Sequence, residues 1–331
     1  MTTTLGIGLL GCGTVGAAVA DVLKRERSRI QERAGVAYRL HAIAIRDCTK
    51  RRPESLEGEL FTTAARAVVD DPRVDVVVEL IGGLDDAAEL VERALRHGLP
   101  VVTANKDLLA TQGPRLRALA GNARVALRYD AAVGGAIPVL RILEDALAGD
   151  EIVSVSGVIN GTCTAVLSAM EAGSSFDEAL ADAQRLGYAE ADPSSDIEGT
   201  DAAHKLAIIA QTAFGVPLLS PQIRATGIAG IAQHEVVRAR SQGMRVRLVA
   251  RAERTAHGVR ADVAPVLLPE QHEFARTSGV ESVVQIEARR AGSLTLRGDG
   301  AGGSATASSV LGDIVSVLRS IAPAAPALAT A

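Results

Sequence analysis

Tryptophan is missing from the 331-residue chain, and tyrosine and phenylalanine number only 3 and 4. The aromatic stacking platforms of single-stranded nucleic-acid binders are therefore poorly supplied. Cysteine is almost as scarce. Cys12, Cys48 and Cys163 are odd in number and far apart, which supports neither a disulfide framework nor a zinc knot, and each reads as a small, packed, reduced thiol. No stretch approaches the roughly 18 apolar residues of a membrane span, and "MTTTLGIGLLGCG" lacks the charged start and continuous apolar core of a signal peptide. A cytoplasmic location and no membrane partner are the expectation. Charge of one sign is lacking too: the net charge is −4 with scattered basic residues, which speaks against a nucleic-acid stripe. What is present is length and apolar content, 47 % hydrophobic against 22 % charged. That suffices for a substantial core in two domains, with small molecules as partners.

Residues 5–10, "LGIGLL", form a short apolar run ending in "GCGTVG", after which Val15, Ala18, Val19, Val22 and Leu23 recur at helical spacing. This is strand, glycine turn and helix. The helix is expected to continue through "KRERSRIQER" and stop near Gly35, a C-terminal glycine. "YRLHAIAI" follows as a strand, "VDVVVELIGG" (residues 74–83) suits a strand buried on both faces, and an Ala-rich helix to Arg96 leads to the strand "LPVVTANK". Strands alternating with helices predict an α/β, Rossmann-type, doubly wound parallel sheet.

Further on, "EIVSVSGVING" reads as a strand turning into a helix near Thr164, and "RVRLVARAE", "HGVRADVAPVLL" and "VVQIEA" as strands of a mixed or antiparallel second sheet. "GAGGSATASSVLGDIVSVLRSI" is a glycine loop and a helix, and the Ala/Pro tail after Ile321 is expected to fray. The expected division is 1–135 for nucleotide binding, 136–305 for an α+β catalytic and dimerisation domain, and 306–331 for a C-terminal helix returning to the nucleotide domain.

Gly11, Gly13 and Gly16 spell G-x-G-x-x-G between an apolar strand and a helix, the context that gives this pattern meaning. The first glycine permits the tight turn, the second lets a pyrophosphate approach the backbone, and the third lets helix and strand pack closely. A glycine-rich turn without a ligand is the alternative. At the end of the second strand an acid would bind ribose hydroxyls and an arginine a 2′-phosphate. Arg46 precedes Asp47 there and "TKRR" at 49–52 adds positive charge, which favours NADP over NAD.

Ligands of such folds bind at the carboxyl ends of strands, which draws attention to Asn105 and Lys106 after "LPVVTA". The segment "GYAEADPSSDIEGTDAAHKLA" crowds Glu190, Asp192, Asp196, Glu198 and Asp201 ahead of Lys205. Pro193 with Ser194 or Ser195 reads as the entry of a helix running to Gly215, on which Asp201 and Lys205, four apart, share a face. Alone, that pair is most simply an exposed ion pair. Five mutually repelling carboxylates nevertheless need cations or strong donors to be held compactly, and a substrate amine would serve. D-x-[DN]-x-[DN]-G-x5-E cannot be laid on the segment, which speaks against a calcium loop. His204 has no Cys or His neighbour and reads as a packed or surface histidine.

"GCGTVG", "TANK", "VGGAIP", "GVINGT", the long acidic segment and "GAGGSATAS", in this order, resemble the homoserine dehydrogenase family over nearly the whole chain. The resemblance implies reduction of L-aspartate 4-semialdehyde to L-homoserine with NADPH or NADH, on the branch leading to threonine and methionine, by a homodimer. It implies Lys205 as acid/base and Lys106 as the second catalytic lysine. Glu190 and Asp201 would hold the substrate ammonium, with Asp196, Tyr188, Gly161 and Thr162 lining the pocket. The nucleotide pocket would comprise Gly11, Cys12, Gly13, Thr14, Val15 and Gly16, with Arg46, Ile81, Gly82, Thr103, Lys106, Gly187, Gly302 and Gly303. A monovalent cation, Na+ or K+, would sit on backbone carbonyls at Asp130, Val133, Gly135 and Ile137.

Two positions depart from the family's pattern. Asp130 stands where a glutamate is expected, and Ala136 replaces a glycine of G-G-G-I-P; an alanine is harmless there only if its φ is negative. No regulatory amino-acid-binding domain or fused aspartokinase is expected, and so no threonine feedback through such a domain. Another amino-acid dehydrogenase of the same architecture, such as one oxidising aspartate, and a non-catalytic NAD(P)-sensing protein are the competing readings.

Overall fold

The computed structural model describes residues 4–50 and 52–323. Arg51 of "TKRR" and the end of the Ala/Pro tail lie outside the described residues. The chain divides into two compact units, one of residues 1–105, 115–129 and 307–331, the other of residues 106–114 and 130–306.

The first unit holds β1 (Thr4–Leu10), α1 (Thr14–Arg25), α2 (Arg27–Ala34), β2 (Ala37–Ala44), β3 (Phe61–Thr62), α3 (Ala65–Asp70), β4 (Val76–Glu79), α4 (Asp85–Arg96) and β5 (Val101–Thr103). Helix α5 (Lys106–Ala123) and β6 (Leu127–Arg128) follow. All pairings in the sheet are parallel, in the order β3-β2-β1-β4-β5-β6, with the order reversing beside β1, as in doubly wound nucleotide-binding sheets. The apolar runs read from the sequence are its centre: Ile7, Leu9, Leu10, Val76, Val77 and Val78 are fully buried. Charge complements the dipole of α4, with Asp85 and Asp86 in its first turn and Arg93 and Arg96 in its last. The expected single helix after the fingerprint is instead two, broken at Glu26, whose φ of −107° and ψ of 25° leave the helical region. Gly35 does end the second of them in the left-handed conformation.

The second unit contains α6 (Val139–Arg141), β7 (Ile152–Val158), α7 (Gly161–Glu171), α8 (Phe176–Arg185), α9 (Ser194–Ile197), α10 (Thr200–Phe214), β8 (Arg224–Ala225) and α11 (Gln233–Ser241). It continues with β9 (Met244–Thr255), β10 (Gly258–Pro269), β11 (Glu281–Ala288) and β12 (Gly292–Asp299), and α12 (Gly303–Ile321) begins in it. Its sheet, ordered β12-β11-β7-β9-β10-β8, is mixed: β8 and β10 are parallel and the other neighbours antiparallel. Helix α7 starts three residues before the expected Thr164, because the Asn160 side chain caps it by accepting from the Cys163 N–H. The helix expected from Pro193 to Gly215 is two helices, α9 and α10, parted at Gly199, whose φ is +84°. The edge strand β12 was not expected from its sequence. The three thiols differ more than "small and packed" allows: Cys163 is buried, Cys12 half-buried, and Cys48 exposed in the loop after β2. Among the described residues no helix is long and apolar enough to cross a membrane.

One ion-pair cluster holds helix to sheet in this unit. The buried carboxylate of Glu171, at the end of α7, takes Arg245 at 2.6 Å and Arg247 at 2.7 Å from β9. Arg247 is 1 % exposed and also donates to the carbonyls of Ala275 and Thr277. Removing one partner of a buried pair leaves the other charge uncompensated. Glu171→Ala is therefore expected to cost about 3–5 kcal/mol in urea unfolding, whereas Glu151→Gln, which neutralises the surface partner of Arg289, should leave the urea midpoint close to that of the wild type.

Candidate active site

The glycine fingerprint of the first unit has one job at each position. Gly11 has φ +99°, and a Cβ there would stand 2.5 Å from the Leu80 carbonyl oxygen. A Cβ on Gly16 would stand 2.2 Å from the carbonyl oxygen of Gly11; close helix–strand packing thus forbids any side chain there. Around Gly13 a Cβ meets nothing within 4 Å, and Gly13 is the N-cap of α1, so open space lies where the unpaired N–H groups of Thr14, Val15 and Gly16 emerge. An anion such as a pyrophosphate fits that cradle. Cys12 lies between the glycines; burial pushes its thiol up, against the lowering effect of Arg52.

The next loop of this unit depends on an acid that sequence reasoning passed over. Glu79, at the end of β4, is fully buried. Its Oε1 accepts from the N–H groups of Ile81 at 2.8 Å and Gly82 at 3.1 Å, and Oε2 from the Thr103 hydroxyl. Thr103 Oγ1 in turn accepts from Asn105 N–H at 3.0 Å, and the Asn105 amide donates to the Gly83 carbonyl at 2.7 Å. Ile81, Gly82 and Thr103, all expected in the nucleotide pocket, thus share one buried hydrogen-bonded network. A final "E" on an apolar strand was its only trace in the sequence. After β2, Arg46 is exposed. Asp47 turns back on its own loop, accepting from the Thr49 N–H at 2.8 Å and hydroxyl at 2.7 Å; these bonds, the hydroxyl's first, hold its carboxyl below the usual range.

In the second unit the acidic segment gathers around one carboxylate. Asp201, 3 % exposed in the first turn of α10, has Lys106 Nζ at 2.6 Å from Oδ1 and Lys205 Nζ at 2.8 Å from Oδ2. Asn160, also unanticipated, donates its amide to Asp201 Oδ2 at 2.9 Å and to Asp196 Oδ1 at 2.7 Å. One NH2 group thus keeps two carboxylates in place that would otherwise repel. The Thr162 hydroxyl lies 3.0 Å from Asp196 Oδ2 and 2.6 Å from the Tyr188 carbonyl oxygen, while Gly161 opens α7 directly after Asn160. Lys205 also donates to the Ile159 carbonyl at 2.9 Å. Protein donors hold most of the acid, so the expected compensation by a substrate amine is not what keeps Asp201, Asp196 or Asp192 in place; Asp192 accepts from Ser194. Glu190 is exposed.

Burial alone would push the Asp201 carboxyl up, but the charges of Lys205 and Lys106 outweigh it and hold it well below the usual carboxylate range. Burial would pull Lys106 down, yet Asp201, by charge and hydrogen bond, carries it above its ordinary value. Two adjacent ammonium groups do not make Lys106 more acidic here; the carboxylate between them wins. Lys205 is the more enclosed lysine, with its side chain 14 % exposed against 36 % for Lys106.

Gly187, with φ +76°, follows α8, and Gly302, with φ +111°, precedes Gly303 at the start of α12. All three belong to the second unit, whereas the fingerprint belongs to the first. The residues expected at a monovalent cation, Asp130, Val133, Gly135 and Ile137, lie on one loop. There Asp130 Oδ1 accepts from the Leu140 N–H at 2.8 Å, and Arg141 stands 3.7 Å from Oδ2. Ala136 is outside the positive-φ region, so its methyl group is accommodated. Among the described residues no group of three acids, histidines or cysteines is placed to hold a metal ion; a cation held on backbone carbonyls needs none.

The family profile described as homoserine dehydrogenase matches residues 138–315, and the one described as its NAD-binding domain matches residues 11–130. The homoserine dehydrogenase of Corynebacterium glutamicum is 41 % identical over 323 residues, which cover 96 % of this chain and 72 % of that protein. The chain belongs to the homoserine dehydrogenase family. The crystal structure of a homoserine dehydrogenase from Thiobacillus denitrificans superposes with a TM-score of 0.92 at 41 % identity, covering 96 % of this chain and 74 % of that one. A hyperthermophilic archaeal homoserine dehydrogenase in complex with NADPH superposes with a TM-score of 0.82 at 27 % identity, covering 96 % and 99 %.

Asp201, lowered on folding, contributes stability above its unfolded pKa, near 3.8, that is lost as pH falls below it. Lys106, raised on folding, contributes stability below its ordinary 10.5 that is lost as pH rises through its higher folded value. Urea titrations at a series of pH values should therefore find that Asp201→Asn loses less stability than the wild type on acidification below about pH 4.

Proposed function

We propose that the protein is an NAD(P)H-dependent homoserine dehydrogenase that reduces L-aspartate 4-semialdehyde to L-homoserine. The observation that carries the reading is the pair of ammonium groups, Lys106 and Lys205, held on the single buried carboxylate of Asp201. Reduction of an aldehyde leaves negative charge on its oxygen, and an ammonium both stabilises that charge and supplies the proton that quenches it. The reduced nicotinamide, when bound, supplies the hydride. Lys205 Nζ gives its proton to the developing alkoxide, and Lys106 stabilises the same oxygen. Asp201 holds both lysines in place and keeps Lys106 charged. Glu190, whose carboxylate is exposed, holds the substrate ammonium together with Asp201, within a pocket lined by Asp196, Tyr188, Gly161 and Thr162.

NADP is the preferred cofactor over NAD. Arg46 is exposed at the end of β2, whereas the neighbouring acid, Asp47, is engaged by Thr49, and the archaeal relative was solved with NADPH. Arg46 would meet the 2′-phosphate, and the family resemblance assigns the fingerprint, Ile81, Gly82, Thr103, Lys106, Gly187, Gly302 and Gly303 to nucleotide binding. A Na+ or K+ on the carbonyls of Val133, Gly135 and Ile137, with Asp130 as counter-charge, belongs to the same proposal; Arg141 already shares that charge. On this reading residues 1–135 bind the nucleotide, 136–305 carry catalysis and dimerisation, and 306–331 return to the nucleotide domain. The protein works in the cytoplasm as a homodimer formed through the second sheet, where Val266 and Leu267 are exposed.

Oxidation of L-homoserine at alkaline pH, followed by absorbance of the reduced cofactor, should be faster with NADP than with NAD. Lys205→Ala should lower kcat by at least about 10²-fold. Glu190→Gln should mainly raise the KM for homoserine, the signature of lost uniform binding. Folded protein that binds NADPH but turns over homoserine with neither cofactor would overturn the reading.

A further inference from the structure

His204 and Asp107 are given no role by the chemistry above, yet they are the sequence neighbours of its two lysines. His204 Nδ1 lies 2.9 Å from Asp107 Oδ1, both side chains half-buried. Asp107 follows Lys106 at the start of α5, and His204 precedes Lys205 on α10. The first two residues of α5 are therefore tied to the same face of α10 in succession, Lys106 to Asp201 and Asp107 to His204, three residues apart on that helix. The Thr111 hydroxyl, donating to the Asp107 carbonyl at 2.7 Å, closes the same turn from within α5.

We propose that Asp107 and His204 form a positioning pair that fixes the first turn of α5 on α10 and so holds the Lys106 ammonium at the reacting oxygen. The inference rests on the homoserine dehydrogenase reading and adds to it two residues that do not touch substrate. A lysine side chain has many rotamers, and an ion pair at its tip alone restrains its base weakly. With one tie the first turn can pivot about the Lys106–Asp201 contact; the second tie removes that freedom. A displacement of about 1 Å in a catalytic group can cost on the order of 10²-fold in rate, so a small pivot matters.

The pair also sets charge. Asp201 and His204 on α10, Lys205 one residue further, Asp196 on α9 and Asp107 on α5 are the titratable groups around Lys106. The charge of Asp107 adds to that of Asp201 in keeping Lys106 protonated. The His204 hydrogen bond in turn keeps Asp107 ionised, holding its carboxyl below the usual range against the effect of burial. For that bond Nδ1 must carry the proton, whether the ring is neutral or charged.

Three variants, assayed as full-length enzyme, test the proposal. His204→Leu should lower kcat roughly 10- to 100-fold, with NADPH affinity by fluorescence titration unchanged. His204→Asn, whose amide nitrogen can take the place of Nδ1, should restore most of the loss. Asp107→Asn removes an anion beside Lys106, so the alkaline limb of its kcat/KM profile should move to lower pH, a shift that a purely structural contact would not produce. If the wild type fails to turn over homoserine, the functional reading falls and this inference with it. If the wild type is active while His204→Leu retains kcat, or Asp107→Asn retains the wild-type pH profile, the positioning role alone is wrong. Should His204→Leu not fold, the Asp107→Asn profile decides.

Discussion

A carboxylate that is 3 % exposed must be compensated where it stands, and the arrangement of the second unit follows from compensating Asp201. Three donors reach it from three different elements: Lys106 from the first residue of α5, Lys205 from one turn along α10, and Asn160 from the cap of α7. Each donor constrains the chain that delivers it. Gly199, in the left-handed region, lets α10 begin where Asp201 falls in its first turn, near the positive end of the helix dipole. Asn160 must cap α7 with its oxygen, accepting from Cys163, while its nitrogen serves the two acids. Moving any one donor leaves the charge at the centre less compensated.

A second buried acid organises the first unit by a different route. The two oxygens of Glu79 are met by two backbone N–H groups and one hydroxyl rather than by lysines. Through these hydrogen bonds the loop after β4 is fixed at its start and bound to the end of β5. Asp201 thus fixes side chains and Glu79 fixes backbone. The outcome differs accordingly: two ammonium groups held on one acid in one unit, and a loop fixed beside Gly11 in the other.

The parts of this arrangement that could be read in the sequence are the local ones. The strand–glycine–helix succession and the i,i+4 relation of Asp201 to Lys205 need no knowledge of tertiary structure, and both are present. The partners that were missed act over long separations: Asn160 reaches Asp201 across 41 residues, and Thr103 reaches Glu79 across 24. Single polar letters in apolar surroundings do not announce such partners. His204 was read as packed or at the surface because no Cys or His stands near it in sequence; the acid it meets, Asp107, is 97 residues away. The break at Gly199 falls among polar residues, Glu198, Thr200 and Asp201, where no apolar period marks the end of a helix, and β12 was overlooked although Leu294 and Leu296 alternate with polar residues, because only two apolar side chains carry its pattern between glycines. The breadth of the match to the acidic segment came from family resemblance, which carries long-range information that local pattern lacks.

The charge balance at Asp201 also bears on the direction of catalysis. In reduction the enzyme must begin with a proton on the ammonium that faces the alkoxide; in oxidation it must begin with that proton removed. Asp201 and Asp107 both favour the protonated form of Lys106, and the same carboxylate of Asp201 lies 2.8 Å from Lys205. In the proposed site Lys106 is accordingly prepared at neutral pH to stabilise an alkoxide, the charge that reduction creates. One buried acid therefore both assembles the two lysines and keeps Lys106 in the form that reduction needs.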